Sequence, residues 1–231
     1  MALDIQVQST GEYQTQKAVH ATASVVEPVF QEALGKFDAG PVKKVVIVVP
    51  PELGFGGPRI APSPPTGRDG DDVEEMTSKL SLDGFLELDT ADRRLAVLEV
   101  IRDALVELAR ARGWPTEPIE RAYATLAGQP IEFRWESRSV TSPSRRYRAR
   151  AVGGIRESGA WLRVLVDDKD GSEVAASPEQ RLRIPHPSEL KLRAARIRWL
   201  NDDEVAVEAK GPRGLPASYP PITVTVDVRG K

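Results

Sequence analysis

The 231-residue chain contains no cysteine. That removes disulfides, thiolate zinc sites, iron–sulfur ligation and cysteine nucleophiles together. Histidine is almost as scarce, with only His20 and His186. A three-histidine metal site is therefore impossible, and a Ser-His-Asp arrangement would need one of these two residues. His186 sits between prolines in "RIPHPSE", which reads as an extended surface loop, and His20 lies on the polar phase of "AVHATAS". Both are expected to be non-catalytic surface residues. No apolar run approaches the ~20 residues that a membrane-spanning helix needs. The opening "MALDIQVQSTGEYQ" has neither a basic n-region nor an apolar h-region, so no signal peptide is expected and the cytoplasm is the simplest compartment.

What is present describes an ordinary globular composition, 40% hydrophobic and 29% charged. The net charge of −2 conceals an asymmetry. Residues 1–127 carry 13 Lys+Arg against 20 Asp+Glu, a balance of −7, whereas residues 128–231 carry 19 against 14, a balance of +5. Opposite signs in the two parts predict two units with different surfaces, 1–127 and 130–231.

The first unit mixes periods. "LDIQVQS" (3–9) alternates as a strand does, and "QKAVHATASVV" alternates again through Val19, Ala21, Ala23 and Val25, which predicts a hairpin. A single helix over 15–37 is the rival reading. It would enclose Pro28 at a cost of about 3 kcal/mol, so Pro28 is better placed as the first residue of a short helix, 28–37. "KKVVIVVPP" (43–51) holds five successive β-branched residues and predicts a central strand covered on both faces. "KLSLDGFLELDT" (79–90) predicts a further strand. The helical period is clearest over 91–112, where Val97, Leu98, Ile101, Ala104, Leu105 and Leu108 share one face. Thr90 or Asp89 is suited to cap its start and Gly113 to end it. A shorter helix, 117–126, follows. Strands and helices layered on one sheet make this an α+β unit of α/β type.

Beyond "AGQP" (127–130) the helical period disappears. Alternating segments fall near 131–137, 145–153, 160–167, 180–184, 190–200, 203–209 and 222–228, separated by "RESG", "DDKDG", "LNDD" and "KGPRG". About seven short strands in about 100 residues predict an all-β sandwich or barrel. The Pro/Gly-rich stretch at about 50–75 fits neither unit. It ends in Asp69, Asp71, Asp72, Glu74 and Glu75, and its composition predicts disorder or extended polyproline geometry.

Several motifs carry less chemistry than they suggest. "LGFGGPRI" (53–60) lacks the Gly-Lys-Ser/Thr ending of a phosphate loop, and its proline removes a backbone donor. "DDKDGSE" (167–173) shares part of a calcium-loop pattern but lacks the regular oxygen ligands, and it is the composition that a β-turn requires. The acidic cluster at 69–75 would need rigid placement to hold a divalent ion. "APSPP" (61–65) has a Pro-x-x-Pro spacing that arises easily in so proline-rich a stretch. No cofactor and no metal site is expected.

The strongest feature is arginine at every second position. Arg146, Arg148 and Arg150 alternate with Tyr147, Ala149 and Ala151, and Arg134, Arg181, Arg183, Arg196 and Arg198 occupy the polar phase of other strand segments. The second unit has 15 arginines to 4 lysines, and arginine is the residue suited to bidentate contacts with carboxylate or phosphate. Three destinies remain open for this face. It is solvated and paired with Glu132, Glu136, Glu204 and Glu208; or it binds an acidic protein; or, less in keeping with a surplus of only +5, it binds nucleic acid. If it takes an acidic ligand, the 69–75 cluster is one candidate within the chain. The expectation is a non-enzymatic protein-binding protein, such as an adaptor, assembly subunit or inhibitor. A carboxylate-based hydrolase is the alternative, because paired acids have no sequence spacing of their own. A nucleic-acid-binding module is the second alternative.

Overall fold

A computed structural model describes residues 3–10, 12–50, 59–61, 72–78, 84–182, 197–207 and 222–225. The chain divides into two compact units, Met1–Phe133 and Arg134–Lys231. Mixed α+β architecture is followed by open β-sheets, as the periodicities predict. Among the described residues no helix is long and apolar enough to cross a membrane.

The first unit is built on a four-stranded sheet in the order β1 (Asp4–Ser9), β2 (Lys44–Val49), β4 (Val73–Thr77), β3 (Arg59–Ala61). The first three are parallel, and β3 is antiparallel to β4. Three helices accompany it: α1 (Tyr13–Leu34), α2 (Thr90–Arg112) and α3 (Glu117–Ala127). Ile5, Val7, Val45, Ile47, Val49 and Met76 point into one core with the apolar faces of these helices. Val46 and Val48, on the opposite face of β2, are only half-buried. The strand is central, but among the described residues the helices cover one face of it rather than two.

The predicted hairpin over 15–26 is instead the first half of α1. Val19, Thr22, Ala23, Val26, Phe30 and Leu34 are buried at helical spacing, and Pro28 lies inside the helix. The about 3 kcal/mol that an internal proline costs is outweighed by burial of these side chains, each large apolar one contributing about 1.5–3 kcal/mol. The helix ends at Gly35, whose φ of 66° is a left-handed conformation suited to glycine and whose N–H bonds the Gln31 carbonyl.

α1 also closes the free edge of β1. Glu27 Oε1 accepts the Val7 N–H at 2.6 Å, and one turn later Gln31 Nε2 donates to the Ile5 carbonyl at 3.3 Å and to Asp4 Oδ1 at 3.2 Å. Side chains thus satisfy an edge that would otherwise invite another strand. Burial pushes the Glu27 carboxyl up to about 7, with Asp4 adding to the rise while the Val7 N–H and Lys44 oppose it.

α2 matches the predicted helix closely. The Asp89 side chain accepts the Asp92 N–H at 2.9 Å, and Gly113 ends the helix in a left-handed conformation. All six residues of the predicted apolar face are buried. In α3, Ile119 and Leu126 are buried, and the Arg102 guanidinium lies 4.4 Å from the centre of the half-buried Tyr123 ring.

The acidic stretch before α2 departs from expectation. Residues 79–83 lie outside the described residues, and 84–88 form turns rather than a strand, with Leu86 and Leu88 exposed. The strand is β4 instead, which starts inside the 50–75 stretch expected to be disordered or extended and runs on to Thr77, and β3 lies in that stretch too. Glu74 faces the core beside Met76 and is paired with Arg112 of α2, while Asp72 pairs with Lys43 at 2.9 Å. These carboxylates hold the first unit together, which removes both from the set of free acidic ligands. Asp69 and Asp71 lie outside the described residues.

The second unit has a six-stranded sheet. Its path is β10 (Gln180–Leu182), β8 (Gly159–Asp168), β7 (Tyr147–Arg156), β5 (Phe133–Glu136); β6 (Val140–Thr141) also pairs with β7 and β9 (Glu173–Ala176) with β8. A three-stranded antiparallel sheet, β11 (Ile197–Trp199), β12 (Glu204–Val207) and β13 (Ile222–Thr225), lies near it, β11 beside β6 and β7 and β13 beside β8 and β9. The arrangement is sandwich-like. Ala149, Ala151, Ile155, Leu162, Val164 and Val166 supply the buried face of the larger sheet. All seven expected segments contain a strand; β6 and β9 are too short for alternation to reveal.

Two outcomes follow from the first unit. Ile101 is fully buried and Asp103 is exposed. Ile101→Ala is expected to cost about 2–5 kcal/mol in urea melts, and Asp103→Ala under about 1 kcal/mol. Because the folded-state pKa of Glu27 stands above the ordinary 4.5, the folded form holds the proton more tightly. Its contribution to stability is therefore greatest below the ordinary value and declines as pH rises towards about 7. Relative to Glu27→Gln, the wild type should lose stability between about pH 5 and about pH 8, and a gap independent of pH would contradict this origin.

Candidate functional site

The arginine face is set by the pairing of β7 with β8, which runs through ten residue pairs from Tyr147↔Asp168 to Arg156↔Gly159. The connection is short, Glu157–Ser158, and Gly159 has φ 114°, where a side chain would be strained. With that register, Ala149 faces Val166 and Ala151 faces Val164 on the buried side. Arg148 faces Asp167, Arg150 faces Leu165, Val152 faces Arg163 and Gly154 faces Trp161 on the outer side.

Neighbouring strands extend this outer face. On β10, Arg181 pairs with Trp161. On β5, Arg134 and Glu136 alternate with buried Phe133 and half-buried Trp135. The sheet therefore brings together Arg134, Arg148, Arg150 and Arg181 of the predicted residues. Arg146 lies in the turn before β7, its guanidinium 5.9 Å from the centre of the Tyr147 ring. Arg198 belongs to the other sheet, opposite Ala206. Arg183 and Arg196 lie outside the described residues, as does His186. His20 is exposed on α1.

Several of these arginines are committed. Arg150 is paired with Asp167, and its Nε stands 3.0 Å from Glu136 Oε1. Arg156 meets Glu179 at 3.2 Å, and Arg163 meets Glu173 at 3.6 Å. Exposed pairs such as Arg156–Glu179 and Arg163–Glu173 stabilise the sheet by about 0.2–1 kcal/mol each, while Asp167 is buried. Of the expected partners Glu136 takes part in this pairing and Glu208 lies outside the described residues, and Asp167, Glu173 and Glu179 take part as well. Arg148 and Arg181 are exposed and form no ion pair among the described residues.

Four members of the face were not assigned to it from the sequence. "GAWLRVLVDD" places Trp161, Arg163, Leu165 and Asp167 on one phase of a segment expected to alternate, so the signal was present. The Arg156 guanidinium lies 4.8 Å from the centre of the half-buried Trp161 ring, a cation–π contact that presents the indole between Arg156 and Arg181. The Asp168 carboxylate in "DDKDG" accepts the N–H groups of Asp170 and Ser172 at 2.9 and 3.0 Å, which is the turn chemistry expected there. A cavity of about 190 Å³ lined by Leu3, Phe37, Asp38 and Val42 is smaller than the ~300 Å³ at which ligand pockets begin.

No protein-family model, no curated protein and no solved structure matches this chain.

The paired and unpaired arginines separate in stability. Arg150→Ala leaves the 12%-exposed Asp167 side chain without its cation and is expected to cost about 1–3 kcal/mol. Arg148→Ala and Arg181→Ala should stay within about 0.5 kcal/mol in the same urea melts. Equal losses at all three positions would contradict the pairing.

Proposed function

We propose that the chain is a non-enzymatic protein-binding protein (an adaptor, assembly subunit or inhibitor of another protein) working in the cytoplasm. The contact surface is the outer face of the six-stranded sheet, and the partner is a protein with an acidic surface. One observation carries this reading: exposed Arg134, Arg148 and Arg181 stand on three strands of one sheet face that also bears Trp161. Guanidinium groups fit carboxylates bidentately, and arginine and tryptophan are the side chains on which protein interfaces most often depend. Arg150, Arg156 and Arg163 are already tethered by carboxylates, so the face loses little side-chain freedom on binding.

Glu136, Asp167, Glu173 and Glu179 sit among the arginines, so a phosphate backbone with its unbroken run of charge would meet them, whereas the carboxylates of a protein can be placed singly against Arg134, Arg148 and Arg181. That favours a protein over nucleic acid. The hydrolase alternative requires two carboxyls across a cleft. Glu27, the carboxyl pushed up to about 7, is instead engaged with the Val7 N–H at the edge of β1.

Retention on immobilised poly-glutamate tests the reading. The wild type should be held at low salt and released as salt approaches about 0.15 M, where exposed charges are screened over about 8 Å. The triple substitution Arg134→Ser, Arg148→Ser, Arg181→Ser should elute earlier. Stronger retention on single-stranded DNA than on poly-glutamate would contradict it.

A further inference from the structure

At one end of the second unit two hairpin loops are fastened together. The Ser144 N–H in the β6–β7 loop donates to Asp202 Oδ1 at 2.6 Å in the β11–β12 turn, and Trp199 Nε1 donates to the Val140 carbonyl at 2.9 Å. The Tyr147 and Trp199 rings stack at 6.4 Å with 23° between their planes. These contacts hold the loops side by side, and beside them Val140 and Leu200 stay exposed at 37% and 46%.

The two loops carry opposite charge. Arg145 and Arg146 are exposed on the first, and Asp202, Asp203 and Glu204 follow one another, half-buried, on the second. Asp202 accepts the Ser144 N–H and Glu204 Oε2 accepts from Asn201 Nδ2 at 3.3 Å, neutral donors that leave both carboxylate charges in place. Among the described residues no ion pair joins these acids to Arg145 or Arg146, although the loops touch. Both signs are therefore unspent, side by side, next to exposed apolar carbon. Arg145 also has φ 59°, the one described non-glycine residue in the left-handed region. Strained backbone of this kind gathers where a surface has a contact to make.

We infer that the occupant of this clasped end is a second copy of this chain, seated about a two-fold axis. A patch that bears both signs matches neither a purely acidic nor a purely basic ligand. Its charge complement is the same patch turned through half a rotation, so that the arginine loop of each copy faces the acidic turn of the other. Val140 and Leu200 of the two copies then cover one another. Two loops from each copy make a small interface, so the dimer is weak, forming at about 0.1–1 mM protein and dissociating in salt. The inference stands apart from the protein-binding reading, since Arg134, Arg148 and Arg181 take no part in it.

Sedimentation equilibrium of the full chain at low salt tests it. The average mass of the wild type should rise towards that of two chains over this range and return to that of one in about 1 M salt, where charges are screened over about 3 Å. Arg145→Asp with Arg146→Glu makes both loops acidic, and aspartate tolerates the left-handed backbone better than most residues. Asp203→Asn with Glu204→Lys makes the same end basic and keeps the Asp202 clasp. Each double variant alone should stay monomeric, and the two mixed in equal amounts should associate, because unlike ends then meet. Leu200→Ser, which leaves every charge in place, should weaken self-association about tenfold. A wild type that stays monomeric up to about 1 mM overturns the inference, and so does a mixture that stays monomeric. Undiminished self-association of either double variant or of Leu200→Ser puts the contact elsewhere and also overturns it. If the wild type takes a glutamate–leucine peptide or oligothymidylate in preference to itself, and Arg145→Asp with Arg146→Glu removes that binding, the end receives a foreign ligand and the inference fails.

Discussion

The β7–β8 register is the constraint on which the second unit depends. Side chains alternate across a sheet, so slipping the pairing by one residue would bury Arg148 and Arg150 and expose Ala149 and Ala151. Burying an unpaired guanidinium is far more costly than exposing two alanines, so the pattern itself selects the register. The short Glu157–Ser158 connection and the conformation of Gly159 then fix it locally. Everything on the outer face follows: the ion pairs of Arg150 and Arg163, the exposure of Arg148, and the position of Trp161 beside Arg181. Surface chemistry here is a consequence of how the interior is packed.

In the first unit, burial overrides local preference twice. α1 accommodates Pro28 because its apolar stripe from Val19 to Leu34 is enclosed by the sheet and the other helices. Glu74 occupies a core-facing position of β4 because Arg112 supplies an opposite charge from α2. The edge of β1 illustrates the same economy of parts, since Glu27 and Gln31 serve the helix and also satisfy the Val7 N–H and Ile5 carbonyl. Carboxylates that look dispensable in the sequence therefore have structural duties.

These overrides explain which parts of the fold were legible. α2 was readable because periodicity, the Asp89 cap and the Gly113 stop agree with one another. The strands of the second unit were readable because one face is buried and the other solvated, which leaves a clean alternation. α1 was misread because Val19, Ala21, Ala23 and Val25 alternate by accident while Thr22 and Ser24 are small enough to be buried in a helix. β4 was missed because "VEEMT" has no strand pattern unless Glu74 is known to be paired. In the candidate site, the arginine alternation was visible on one strand at a time. Which strands share a sheet was not, and that is why Arg198 was grouped with residues of the other sheet. The clasp between Ser144 and Asp202 spans 58 positions of sequence, a separation at which no local pattern reports contact.

The central claim is that acidic protein is recognised by the arginine-bearing side of the second unit. Amide and indole chemical-shift mapping of the whole chain during titration with a glutamate–leucine peptide tests it most directly. The account predicts perturbations confined to the second unit, strongest at Arg134, Arg148, Arg181 and the Trp161 indole, and reversed by added salt. Perturbations concentrated in the first unit, around Glu27 or the β1 edge, would contradict it.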